Sequence, residues 1–252
     1  MKALVFLIST VVPNIIVATN VIEGCAKLKE DDTLQSIPGK AFWIQLRDAY
    51  VESVGQDEST IDWIPSSSSK SDDSATEHLS GFMIPYEVKI TPGKGRSVHT
   101  KQFVPKGTPV WNPKYGAYFR KQEKFESFLT KLTWEQACDA LQWCFAINEC
   151  VAINEKAGYE VDCKYDDYDI IVGCSLDESS MINHGSLELG ESNMSFDVEL
   201  QASVALRDIQ AGEELIEDYD EYDDDLEWFD NLIRKGWGDK TWSQDSFRTK
   251  EL

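Results

Sequence analysis

Met181-Ile182-Asn183-His184-Gly185-Ser186, followed further along by Ala205-Leu206-Arg207-Asp208-Ile209-Gln210-Ala211-Gly212-Glu213-Glu214-Leu215-Ile216-Glu217-Asp218-Tyr219, is the stretch on which the reading of this chain turns. An asparagine amide carries a donor and an acceptor on one flat group, suited to an adenine edge. Gly212 marks a turn, and Leu215-Ile216 lead an apolar run to Asp218-Tyr219. A tyrosine there can seat its ring in a pocket with the hydroxyl at a reacting centre. Upstream stand Gly93-Lys94-Gly95-Arg96-Ser97-Val98 and Phe103-Val104-Pro105-Lys106-Gly107-Thr108. Glycines let a backbone pass close to a bulky ligand and adopt positive φ. Lys94, Gly95 and Arg96 can therefore offer main-chain groups to a carboxylate or a ribose.

Working outward, Tyr86-Glu87-Val88-Lys89-Ile90 alternates as a strand does, and Thr91 to Gly95 reads as a turn. Ser97 to Phe103 predicts a second strand and Thr108 to Trp111 a third. Over 121–156 the period changes. Phe125, Phe128, Leu129 and Leu132 fit helical spacing. Thr133 with Gln136 three residues later reads as a capping box opening a second helix. Its apolar side is expected to carry Ala137, Ala140, Leu141, Cys144, Phe145 and Ile147. Strands return at Ile170 to Val172 and Val198 to Leu206.

Each motif alone describes something ordinary: a turn, a polar pair, an acidic strand start. Together, in this order, the three segments resemble a SET domain, a family that transfers methyl groups from S-adenosylmethionine, mostly to protein lysines. The resemblance covers roughly residues 83–230. It implies an α+β, β-rich fold of short sheets with a pseudoknot-like C-terminal motif, carrying a helical insert near 121–156. It implies that Lys94, Gly95, Arg96, Asn183 and His184 bind the cofactor S-adenosyl-L-methionine, His184 largely through its backbone. Tyr219 matches the catalytic tyrosine. The chemistry implied is in-line displacement at a sulfonium methyl, without a metal and without a covalent protein intermediate.

The pattern departs from the family in places. Gly185-Ser186 follow the Asn-His pair where Ser-Cys or Ser-Asp is usual, and Asn193 comes ten residues after Asn183 instead of sooner. Trp111 replaces a usual Glu-Tyr, and Glu217 sits where an apolar or neutral residue is common. No cysteine-rich segment follows the domain, so the chain looks closest to small stand-alone SET proteins. Tyr222, Trp228, Phe229 or Trp237 is a candidate to close a lysine channel or stack on adenine.

Composition limits the partners. The chain has 252 residues, with 45 Asp plus Glu against 24 Lys plus Arg and a net charge of -21. Such a field repels phosphate backbones and attracts cations, which argues against direct nucleic-acid binding and for a basic protein or lysine-containing peptide. Residues 213–230 hold eleven acids and no base. Residues 1–18 read as a signal peptide, with one lysine, an apolar run and small residues at its end. This predicts a secreted or secretory-pathway protein with no membrane attachment once the signal is removed; the alternative is an intracellular one. Residues 19–55 form an N-terminal extension, with Phe42-Trp43-Ile44 as a buried knot. Residues 56–80, with Ser66 to Ser69 and Asp72-Asp73, read as a loop or linker, and 231–252 as a tail. Six cysteines without C-x-x-C spacing argue against structural zinc and leave disulfides and buried thiols as alternatives. Asn193-Met194-Ser195 is an N-glycosylation sequon. Two rivals to catalysis remain: a degenerate SET module that binds a basic partner, and a secreted acidic binding protein.

Overall fold

Alternation in Tyr86–Ile90 predicts a strand, and that strand forms in the computed structural model, although its burial does not alternate and Ile90 is exposed. The structure describes residues 22–30, 36–63, 65, 80–92, 94–150, 169–219 and 225–238. Residues 1–18, Ser66 to Ser69, Asp72-Asp73, Gly93 and Tyr222 lie outside the described residues. Strand β1 (Tyr86–Thr91) pairs antiparallel with β2 (Gly95–Thr100), setting Val88 opposite Val98. Gly95 lies opposite Thr91 with φ +80°, a conformation that L side chains rarely adopt.

The remaining strands are β3 (Pro109–Trp111), β4 (Gly116–Phe119), β5 (Phe145–Asn148), β6 (Ile170–Ser175), β7 (Asn183–His184), β8 (Met194–Asp197), β9 (Ala202–Ala205) and β10 (Ile216–Glu217). They build a five-stranded sheet in the order β3-β9-β8-β10-β7 and a three-stranded sheet in the order β4-β6-β5. Helices α1 (Lys27–Glu30) and α2 (Lys40–Val54) precede the sheets. Helices α3 (Gln122–Thr130) and α4 (Trp134–Trp143) stand between β4 and β5, and α5 (Glu227–Trp237) follows the last strand. This is the α+β, β-rich arrangement of short sheets with a helical insert that the resemblance implies.

Thr133 caps α4 as its spacing predicts. Its side chain accepts from the Gln136 N–H, and the Gln136 carboxamide accepts from the Thr133 N–H at 3.0 Å. The helix is shorter than expected, however. It stops at Trp143, and Phe145 and Ile147 belong to β5, where Ile147 lies opposite Ile171. A short apolar run suits either state by itself; the open edge of β6 decides it. The expected strand from Val198 also shortens. Residues 198–201 turn, with Gln201 at φ 51°, before β9 begins.

Residues 19–55 yield a helix not anticipated from the sequence. Trp43, Leu46, Tyr50 and Val54 recur at helical spacing, and all four are buried on α2. They join one apolar core with Phe119, Phe125, Phe128 and Leu141. Phe229 and Trp237 of α5 enter the same core. Tyr50 also covers the free edge of β4. Its hydroxyl takes the Tyr118 N–H at 3.4 Å, and Thr60 Oγ1 donates to the Gly116 carbonyl at 3.0 Å. An uncovered edge strand would leave those groups open to pairing with another chain.

The alternative left open for the cysteines resolves as disulfides. Cys25–Cys138 joins the N-terminal segment to α4, and Cys144–Cys174 joins the end of α4 to β6. Cys150 is also disulfide-bonded, and no described cysteine is free. Replacing both Cys144 and Cys174 by alanine is expected to cost about 3 kcal/mol, the usual scale for closing a loop of this size. Urea denaturation of the double variant beside the parent measures it.

Candidate functional site

The site is built by threading. Strand β10 runs parallel to both of its neighbours, between β7 and β8, which the chain has already joined through residues 185–193. Ile216 lies opposite Asn183, and Glu217 lies opposite both His184 and Met194. The Gly185 N–H donates to the Glu217 carbonyl and the Asn193 N–H to the Ile216 carbonyl, each at 3.0 Å. Just before this strand the same segment is stitched to β2. Leu215 N–H donates to Val98 at 2.8 Å, and Thr100 N–H to Glu213 at 3.0 Å. The glycine-rich hairpin, the Asn-His pair and the C-terminal motif, distant in sequence, therefore meet.

Asn183 uses its amide nitrogen inward. Nδ2 donates to Glu214 Oε1 at 2.7 Å and to the Arg96 carbonyl at 3.2 Å. The other oxygen of Glu214, Oε2, accepts from Lys94 Nζ at 2.9 Å. One carboxylate thus ties two of the expected cofactor-binding residues together. Sequence reasoning missed Glu214. It stands inside a quoted motif, but its partners lie 31 and 120 positions away. The Arg96 side chain does not face the site. It forms a two-pronged pair with Asp139 of α4, at 2.8 and 2.5 Å, over the Trp143 ring. Only its main chain contributes here, through the carbonyl that holds Asn183. A side chain built at Gly95 would meet nothing within 4 Å, so the backbone beside it is open.

His184 is committed through its ring. Nδ1 accepts the Tyr219 N–H at 3.0 Å, which places the ring proton of the neutral imidazole on Nε2. The two rings are 5.5 Å apart. Tyr219 is 40% exposed, yet its hydroxyl points inward and donates to the Ile182 carbonyl. Burial, and after it the charge of Glu217, push the phenol pKa well above its usual range. Glu217 is itself buried, and its Oε1 accepts from Ser203 at 2.8 Å. The carboxylate is held by that hydroxyl on β9, which accommodates the departure from an apolar residue.

The glycine after the Asn-His pair and the late Asn193 also have physical reasons. A Cβ at residue 185 would sit 2.5 Å from Ile216 Cγ2 and 3.1 Å from Glu191 Cβ, so only glycine fits. The inserted residues form a surface turn at 187–190, with Leu187 and Leu189 exposed. After the turn, Asn193 is fully buried and bonded at both ends. Nδ2 donates to the Glu214 carbonyl at 2.7 Å, and Oδ1 accepts the Ile216 N–H at 2.9 Å. The acceptor amide of the sequon is therefore inaccessible in the folded chain, since glycosylation needs a free amide. Phe229 and Trp237 are core residues, and Trp228 packs near Phe125 at 5.9 Å. Those packing roles account for three of the four aromatics considered for the channel.

Asn193→Ala strips two buried hydrogen bonds from the threaded strand. It is expected to cost roughly 2–4 kcal/mol. Gly185→Ala is expected to cost about 1–3 kcal/mol by overpacking against Ile216. Thermal melts of both variants against Leu189→Ser, an exposed control on the same turn, check the two values.

The sequence profile of the SET domain matches residues 95–220, half of the chain. Among solved structures the chain is similar to CpSET8 from Cryptosporidium at 18% identity and a TM-score of 0.32. That match covers 56% of this chain and 59% of that one. It is also similar to the Neurospora SET domain protein DIM-5, a histone lysine methyltransferase, at 16% identity and a TM-score of 0.34. Here the match covers 58% of this chain and 56% of that one. In both cases it spans less than two thirds of the solved protein. No curated protein matches the chain in sequence. The profile takes in the glycine-rich hairpin from Gly95 onward and the whole of the Asn-His and C-terminal segments, and the chain belongs to the SET-domain family.

Proposed function

We propose that this protein transfers a methyl group from S-adenosylmethionine to a lysine of a protein or peptide. The observation that carries the reading is the convergence of Tyr219, the Ile182 carbonyl and the Asn183-His184 pair around β10. The residues present suit such a cofactor. The inward use of Asn183 Nδ2 turns the amide oxygen toward the other side, as an acceptor. The main chain beside Gly95 is open to approach, and Lys94 supplies a cation at its edge. When bound, the cofactor supplies an electrophilic methyl on a sulfonium sulfur.

The chain's own work is alignment and control of protons. Asn183, held by Glu214 and Arg96, fixes one end of the cofactor. His184 and Ile182 anchor Tyr219 at its two polar ends, so the ring presents a fixed face to the amine; this is catalysis by proximity. The phenol stays protonated across the working pH range, because its pKa is raised. It acts as a hydrogen-bond donor and does not take the amine's proton. The amine has to arrive neutral, although a free lysine has a pKa of about 10.4. The acidic surroundings favour the ammonium, so they serve to attract a basic substrate rather than to activate it.

A second reading has its own support. The basic side chains of the hairpin are already paired with the protein's own carboxylates, Lys94 with Glu214 at the surface and Arg96 with Asp139 in the interior. That favours a SET module that has kept the fold and binds a basic partner without catalysis. Calorimetric titration of S-adenosylmethionine separates the two. Micromolar binding abolished by Asn183→Ala supports the enzyme; no heat and no thermal shift from folded protein at millimolar cofactor supports the module.

If the enzyme reading holds, Tyr219→Phe is expected to lower kcat by about 100-fold while cofactor affinity changes little. The rate is expected to rise about tenfold per pH unit between pH 7 and 9 as the amine deprotonates. No fall from Tyr219 ionisation is expected up to pH 10. A descending limb between pH 8 and 10 that Tyr219→Phe abolishes would contradict a neutral phenol.

The residence of the protein is part of the same proposal. Paired cysteines in the core favour an oxidising compartment, in line with the signal-like residues 1–18. Alkylation of the native chain in denaturant, before and after reduction, is expected to label its cysteines only after reduction. Tracking a C-terminal tag in cells tests the route.

A further inference from the structure

Arg47 has no place in the site described so far, yet it is fully buried. It stands on α2, outside the residues that the SET profile matches. Its Nε donates to the Leu176 carbonyl at 3.0 Å, and its guanidinium carbon lies 3.5 Å from the centre of the Tyr115 ring. Trp63 flanks it at 5.2 Å. Burial lowers its pKa, while Tyr115, Asp177, Glu178 and Tyr86 oppose that shift. Asp177 is buried too. It accepts the Gly81 N–H at 2.6 Å and caps the short turn Glu178–Met181 by accepting from Ser179. Burying a cation costs desolvation free energy that neighbouring carboxylates offset only in part, which points to a structural requirement for it.

The segment that begins at Leu176 supplies that requirement. The Leu176 N–H is held by the Tyr115 carbonyl at 3.0 Å, and its carbonyl by Arg47. One 3-10 turn later come the Ile182 carbonyl, which receives the Tyr219 hydroxyl, and then Asn183 and His184. A single short turn has little stiffness of its own, so its placement depends on where it starts.

We propose that Arg47 is a positioning residue for the cofactor and tyrosine site, acting through Leu176 and the 178–181 turn. The N-terminal helix is then a working part of the SET site rather than an appended segment. For its effect on cofactor binding this rests on the methyl-transfer reading; for its effect on the 176–185 segment it does not.

The test uses the full chain with Arg47→Lys, which keeps the charge but loses the flat fork. Tyr50→Phe, which removes a different buried contact from the same helix, is the control. Two readouts are taken at a temperature where each variant is folded. Hydrogen exchange of residues 176–185 reads the segment directly, and calorimetry reads S-adenosylmethionine affinity. Arg47→Lys is expected to speed exchange over 176–185 and weaken cofactor binding, each by about tenfold. Tyr50→Phe is expected to loosen 116–119 and leave both readouts within about twofold. Unchanged exchange over 176–185 in Arg47→Lys, or equal loosening there in both variants, would overturn the proposal. Should Arg47→Lys not fold, Tyr115→Leu, which removes the ring beneath the guanidinium, carries the same readouts. If the parent protein binds no cofactor, the methyl-transfer reading falls, and exchange alone still decides the role of Arg47.

Discussion

The segment from Glu213 to Glu217 has to satisfy its backbone polar groups while running through the interior of the protein, and it does so against three separate parts of the chain. On one side it bonds to β2 through Val98 and Thr100, and on the other to Gly185 and Asn193. The Asn193 side chain closes the remaining gap by binding the Glu214 carbonyl and the Ile216 N–H together. An unmet backbone group at that depth would cost as much as a lost hydrogen bond. The crossing therefore holds as a unit, and Tyr219 emerges from it beside His184.

This constraint explains why the departures from the family pattern occur together. Ile216 fills the space that a side chain at residue 185 would need, so glycine follows the Asn-His pair. The residues added before Asn193 leave the crossing as a surface turn, and Asn193 returns in time to pair with β10. Glu217 stays tolerable beside Tyr219 because Ser203, on β9 of the same sheet, donates a hydrogen bond to its carboxylate. None of these changes breaks a bond in the crossing.

The N-terminal region is held to the domain by the same kind of economy. Tyr50 and Thr60 supply partners to the open edge of β4, and Arg47 supplies one to the end of β6. Two disulfides tie α4 to its surroundings, one to the N-terminal segment and one to β6. Helix α4 in turn carries Asp139, which holds the Arg96 side chain away from the site. The covalent links and the buried charges thus act on the same few strands.

Much was legible in the sequence because it is local. The alternation in β1 and the capping box at Thr133 depend on neighbours along the chain, and the order of the three motifs carried the resemblance that implied the family and its fold. Helix α2 was legible in principle, since Trp43, Leu46, Tyr50 and Val54 recur at its period. What the sequence could not specify was pairing at a distance. Phe145 to Asn148 became a strand because β6 offered an edge. Arg96 turned away because Asp139 lay across from it, and Asn193 was buried because a later strand needed both ends of its amide. The sequence by itself determined the set of chemical groups and the family to which they belong. Only the tertiary structure decided which of them face a ligand and which hold the chain together, because a side chain's role depends on partners that folding alone brings within hydrogen-bond reach.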